Sequence, residues 1–122
     1  MNIEEEAKKF LREKNMSNIT ATEYQDNAKK TAIFPKEKAL EYLALGLSSE
    51  SGEVAGKMKK IIRDKSKLNK QDLGAEIGDV LWYCAVLASE LGLNLGKIIE
   101  NNIEKLHSRK ERGVLGGSGD NR

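Results

Sequence analysis

Two pairs of carboxylates carry the chemical interest of this chain. Glu50 and Glu53 lie three residues apart in "SSESGEVAG", and Glu76 and Asp79 repeat that spacing in "AEIGDVLWY". A three-residue step on a helix turns through about 300°, so the members of each pair sit side by side. Glu50 also falls within an apolar stripe, between Leu47 and Val54, where the pattern calls for another leucine. An ionised carboxylate is costly to bury without a partner. Four such groups converging from two helices would repel one another and raise each other's pKa, and a cation resolves that conflict. An all-oxygen donor set suits Mg²⁺ or Mn²⁺ rather than zinc or copper. The same spacing also has a plainer meaning. Glu-x-x-Glu and Glu-x-x-Asp pairs usually lie on solvated faces, and Glu23 with Asp26 shows that spacing among polar neighbours. Spacing alone leaves both readings open.

A second set of residues suits an anionic ligand. Asn102, Lys105 and Arg109 fall within roughly 60° of one another at about 100° per helical residue. Arg109 offers a planar fork and Lys105 a point charge for phosphate oxygens; a solvated basic helix end is the structural alternative. Lys57 and Lys60 follow Glu53 by one and two turns, within reach of a metal-bound polyphosphate, and read equally as surface charges. Tyr83 lies seven residues beyond Glu76 and so shares its face, where its ring could stack on a base or simply pack. Glu104 and His107 form a Glu-x-x-His pair of the kind found in di-iron bundles, which need two such pairs. His107 is the only histidine, so that reading is rejected.

Helices must position these groups. A short charged helix is expected over residues 4–14, then a polar break at "NMSN". A second helix, capped by Thr20 or Thr22, runs through "TEYQDNAKKTA". Phe34-Pro35 interrupts it, because the residue before proline is pushed out of helical geometry. The longest pattern runs from Lys36 to about Asp64, with apolar residues at 40, 43, 47, 54, 58 and 61 tracing one face. After the polar "DKSKLNKQD", with Asn69 or Asp72 as cap, another helix spans about 72–91. Its apolar residues fall at 73, 77, 80, 84, 87 and 91, and Gly92 ends it. A last helix covers about 95–112. "GVLGGSGDNR" is a glycine-rich tail, either free or wrapped on a phosphate through its backbone N–H groups. The pattern predicts an all-α four-helix bundle. Its parts are a charged extension over 1–19, a helical domain over 20–113 and a tail over 114–122.

The composition excludes several classes. With 122 residues the chain is one domain's worth, and 39% apolar with 33% charged residues suits a soluble helical protein. A net charge of +2 argues for neither a nucleic-acid nor a membrane partner. A lone cysteine, Cys84, rules out an intramolecular disulfide and fits a reducing compartment. No signal-like or membrane-spanning run is present, so a cytoplasmic protein is expected. The modest core and few aromatics predict a homo-dimer or homo-tetramer.

"LGLSSESGEVAGKMKKIIRD", "AEIGDVLWYCAVLASELGL" and "NNIEKLHSRKERGVLGGSGDNR" together resemble the MazG-like nucleoside triphosphate pyrophosphohydrolases, specifically their short single-domain members. The likeness covers about residues 22–122. It implies that Glu50, Glu53, Glu76 and Asp79 are metal ligands and catalytic groups, that Asn102 and Lys105 grip phosphates, and that Tyr83 contacts the base. The family usually opens Glu-Glu-x-x-Glu, and Ser49 stands at the first of those positions. The reaction implied is hydrolysis of a (d)NTP between its α and β phosphates, giving a monophosphate and pyrophosphate. The rivals are a phosphoribosyl-ATP pyrophosphohydrolase-like enzyme and a non-enzymatic helical oligomerisation module, its carboxylates paired with Lys57 and Lys60.

Overall fold

The computed structural model describes residues 2–14 and 18–122, so residues 15–17 of the expected polar break lie outside it. Five α-helices follow in order: α1 (Ile3–Glu13), α2 (Ala21–Lys29), α3 (Ala39–Asp64), α4 (Lys70–Glu90) and α5 (Leu95–Glu111). There is no strand among the described residues. The all-α expectation holds.

Helix ends follow local chemistry. Thr20, not Thr22, caps α2: its Oγ1 accepts from Glu23 N at 3.1 Å, while Glu23 accepts from Thr20 N at 3.0 Å. Asn69, not Asp72, caps α4 by accepting from Asp72 N at 3.0 Å, which starts that helix two residues earlier than expected. Lys36–Lys38 after Pro35 form a 3₁₀ turn rather than the first turn of α3. Lys65, at φ 52°, closes α3, and Gly92, at φ 72°, stands just past α4 as its composition predicts.

α4 is the central helix, packing on α3 along most of its length and also touching α2 and α5. The core cluster joins Leu43 to Ala28, Ala85, Val86 and Leu95. The expected face of α4 is borne out in part, with Leu73, Val80, Cys84 and Leu87 partly buried. The buried positions are Ala85, Val86 and Ala88, while Ile77 and Leu91 of the expected stripe are more than half exposed. Alanines let α2 approach closely, so α4 buries one face against α2 and offers another to α3. Gln25 cements this side. Its Nε2 donates to Leu93 O at 2.9 Å and Ser89 Oγ at 3.0 Å, and its Oε1 accepts from Leu95 N at 2.9 Å. One buried amide thereby ties α2 to the end of α4 and the start of α5.

Candidate active site

Facing turns of α3 and α4 bring three carboxylates together. Glu50, Glu76 and Asp79 each place one oxygen so that all three lie within 4.8 Å of one another. Glu50 and Glu76 are partly buried, and Asp79 is exposed. Partial burial raises the Glu50 pKa above its ordinary value, and the negative charges of Asp79, Glu76 and Glu53 push it further in that direction. Glu53 is exposed and outside the group of three, close enough to be felt at Glu50. The four residues therefore divide into a converging three and one neighbour.

Lys57 borders this cluster from α3. Its Nζ lies 2.6 Å from Asp72 and 3.6 Å from Glu76, and the bond to Asp72 holds its pKa up. The cation therefore bridges α3 to α4 and balances part of the charge on Glu76. Glu50 and Asp79 have no ion-pair partner among the described residues. Lys60 is exposed and lines a hollow with Lys57, Asn69 and Asp72.

Aromatic rings flank the carboxylates. Tyr83 is half-buried beside Tyr42, and Trp82 meets its edge at 4.9 Å between ring centroids. Phe34 stacks on Tyr42 at 5.6 Å. Burial is the main reason that the Tyr83 phenol is held above its usual range, with Tyr42, Glu50 and Asp79 adding to it. From the other side, Tyr24 donates to Gly78 O at 3.5 Å, next to Asp79.

The cations of α5 lie in a different setting. Asn102 and Lys105 are exposed and line a shallow hollow of about 250 Å³ with Ile98 and Asn101. Arg109 is buried, 5% exposed, under residues 113–122. Its Nη2 donates to Asp120 O at 3.1 Å and Asp120 Oδ1 at 3.2 Å, and Lys105 Nζ reaches the same Oδ1 at 3.3 Å. The tail is folded: the Arg122 side chain donates to Val114 O at 3.0 Å and Leu115 O at 3.1 Å, locking it into a loop. His107 is exposed on α5.

Residues 38–114 match the MazG nucleotide pyrophosphohydrolase domain, well over half of the chain. The chain belongs to the MazG family. It is 48% identical over 109 residues to the Gene 37 protein of Mycobacterium phage L5, an alignment covering 81% of this chain and 96% of that protein. No solved structure matches. The matched MazG span takes in all four carboxylates and the α5 cations, whereas α1, α2 and the last eight residues lie outside it.

Two features of this MazG site escaped the sequence. Gly46, one turn before Glu50, has the Tyr83 ring packed where a Cβ would stand. A glycine on an apolar stripe gives no such signal until the partner helix is placed. Asp120 was hidden in a tail with no periodicity, and only the fold-back shows that it pairs with Lys105 and Arg109.

Proposed function

We propose that this MazG domain is a Mg²⁺-dependent nucleoside triphosphate pyrophosphohydrolase, cleaving a (d)NTP between its α and β phosphates. The convergence of Glu50, Glu76 and Asp79 supports this reading most directly, because two of the three have no cation to balance them among the described residues. Hard carboxylate oxygens fit Mg²⁺, with Mn²⁺ as a substitute, and Glu50, Glu76 and Asp79 would hold it. When bound, the ion lowers the pKa of a water and offsets charge on the phosphate oxygens. Glu53, beside the three, orients the attacking water and takes its proton. Water adds at phosphorus as the bridging α–β P–O bond breaks, and the pyrophosphate departs with that oxygen. Lys105 and Asn102 engage phosphate oxygens from α5, with Arg109 behind them and Lys57 and Lys60 along α3. Tyr83 stands beside Glu50 for the base. Run in ¹⁸O-labelled water, the reaction should give intact pyrophosphate and a nucleoside monophosphate. Orthophosphate as the first product would replace this reading with an ordinary phosphatase.

One observation favours a non-enzymatic alternative. Lys57 does bridge α3 to α4 through Asp72 and Glu76, as an oligomerisation module with structural ion pairs would have it. Magnesium separates the two. A bound ion stabilises the folded state by about 2.7 kcal/mol at 100 times its Kd, which for a domain of this size raises Tm by roughly 10 °C. If saturating MgCl₂ leaves Tm unchanged in differential scanning calorimetry, the carboxylates are structural. The enzyme reading includes a homo-dimer or homo-tetramer, supported by Leu45 and Ile62, which are 71% and 76% exposed.

A further inference from the structure

We propose that the Asp120 carboxylate occupies an anion seat on α5 that a phosphate group of the substrate takes over, the C-terminal tail being a displaceable internal competitor. The inference rests on the nucleotide reading above and adds to it the C-terminal tail as a competitor for the phosphate-binding cations of α5.

A single oxygen, Asp120 Oδ1, accepts from both Lys105 Nζ at 3.3 Å and Arg109 Nη2 at 3.2 Å. Those are two cations, four residues apart on one helix face, aimed at one anion. The fit is incomplete. Arg109 Nε is buried with no hydrogen-bond partner among the described residues, although a guanidinium grips a two-oxygen anion best through two parallel N–H bonds. A buried donor left without an acceptor is unfavourable. A phosphate group, with more oxygens than a carboxylate, can satisfy Lys105 and both nitrogens once the tail lifts. The carboxyl of Asp120 is held below its ordinary range by Arg109 and then Lys105, consistent with an anion in a cationic seat.

Exposure sets how easily the seat is vacated. The Lys105 and Asp120 side chains are 41% and 84% exposed, and ion pairs so open to water contribute little. A polyphosphate bearing several charges outcompetes one carboxylate there. The hollow at Ile98, Asn101 and Asn102 abuts Lys105 and gives the phosphate chain a way in.

The test is calorimetric titration of inorganic tripolyphosphate into the full-length, metal-free protein, which reads the seat without catalysis. Asp120→Asn should tighten binding by two- to five-fold, the range expected for an exposed pair, and Asp120→Glu should behave like the parent. In a Lys105→Ala background, the gain from Asp120→Asn should shrink, because only Arg109 remains to be freed. With nucleotide and Mg²⁺, the Asp120→Asn KM should fall by the same factor at unchanged kcat. Equal or weaker binding by Asp120→Asn would make Asp120 a brace for the two cations and overturn the proposal, as would a gain undiminished by the loss of Lys105. Should the parent hydrolyse no nucleotide, the nucleotide reading fails while the titration still decides the seat.

Discussion

Glu50→Gln, Glu76→Gln and Asp79→Asn are each expected to lose hydrolysis by on the order of 10²- to 10³-fold in kcat, the range for losing one preorganised electrostatic contact. Metal-free Glu50→Gln and Asp79→Asn should nonetheless melt at higher temperature than the parent, whereas Glu76→Gln also loses its pairing with Lys57 and should gain less. Each substitution keeps the side-chain shape and removes one of three like charges gathered within 4.8 Å. Glu53→Gln stands apart. Its carboxylate lies outside the three and takes the proton of the attacking water, so its loss should cost on the order of 10²- to 10⁴-fold, the usual contribution of a general base, with Mg²⁺ binding kept. Variants that hydrolyse nucleotides like the parent would sink the metal assignment.

Partial burial, together with the same repulsion, fixes a pH dependence. Glu50 has a folded-state pKa raised above the ordinary glutamate value of 4.5. The native state therefore holds its proton more tightly than the unfolded chain does. The resulting stability is complete below the unfolded value and disappears as pH rises through the raised one. Metal-free protein should lose stability over that window, and Glu50→Gln should flatten the loss. Magnesium, which favours the ionised form, should also remove it. Thermal melts across the weakly acidic range check all three.

Much of this was legible because its signals are local. Threonine and asparagine caps, the proline break and Gly92 fix helix ends through bonds within four residues, so the boundaries fell within a few positions of those observed. The 3₁₀ turn at Lys36–Lys38 escaped because nothing in its composition distinguishes it from a first α-turn. The acidic pairs were visible because carboxylates interrupted an apolar stripe. How α4 faces its neighbours was not legible. Its sequence is apolar on several sides, and the choice of Ala85, Val86 and Ala88 as the buried face depends on how closely α2 approaches. The same limit hid the division of Glu50 from Glu53: both satisfy the spacing, and only the rotation of α3 against α4 selects one.

Gly46→Ala is expected to destabilise the protein and disable the aromatic side of the site together. Glycine-to-alanine in a helix interior ordinarily gains about 1 kcal/mol. At Gly52 and Gly56, further along α3, nothing lies within 4 Å of the added Cβ, so Gly52→Ala should show that gain. At Gly46 the Cβ would fall inside the Tyr83 ring. The ring cannot yield by a small rotamer change, because the Trp82 ring packs near-perpendicular to it, centroids 4.9 Å apart, and Tyr42 lies beside it. It must leave its place, and overpacking of this kind costs about 1–3 kcal/mol or more. The clash outweighs the helical gain, giving a net loss of about 1–2 kcal/mol and a fall in Tm of roughly 4–8 °C. Displacing Tyr83 also moves a ring close enough to Glu50 to feel its charge, so KM for nucleotides should rise. A double-mutant cycle tests the cause. In a Tyr83→Ala background the clash is gone, so Gly46→Ala should become neutral or stabilising there. If Gly46→Ala is equally damaging with and without the Tyr83 ring, the close approach of α3 to α4 at this point has some other function.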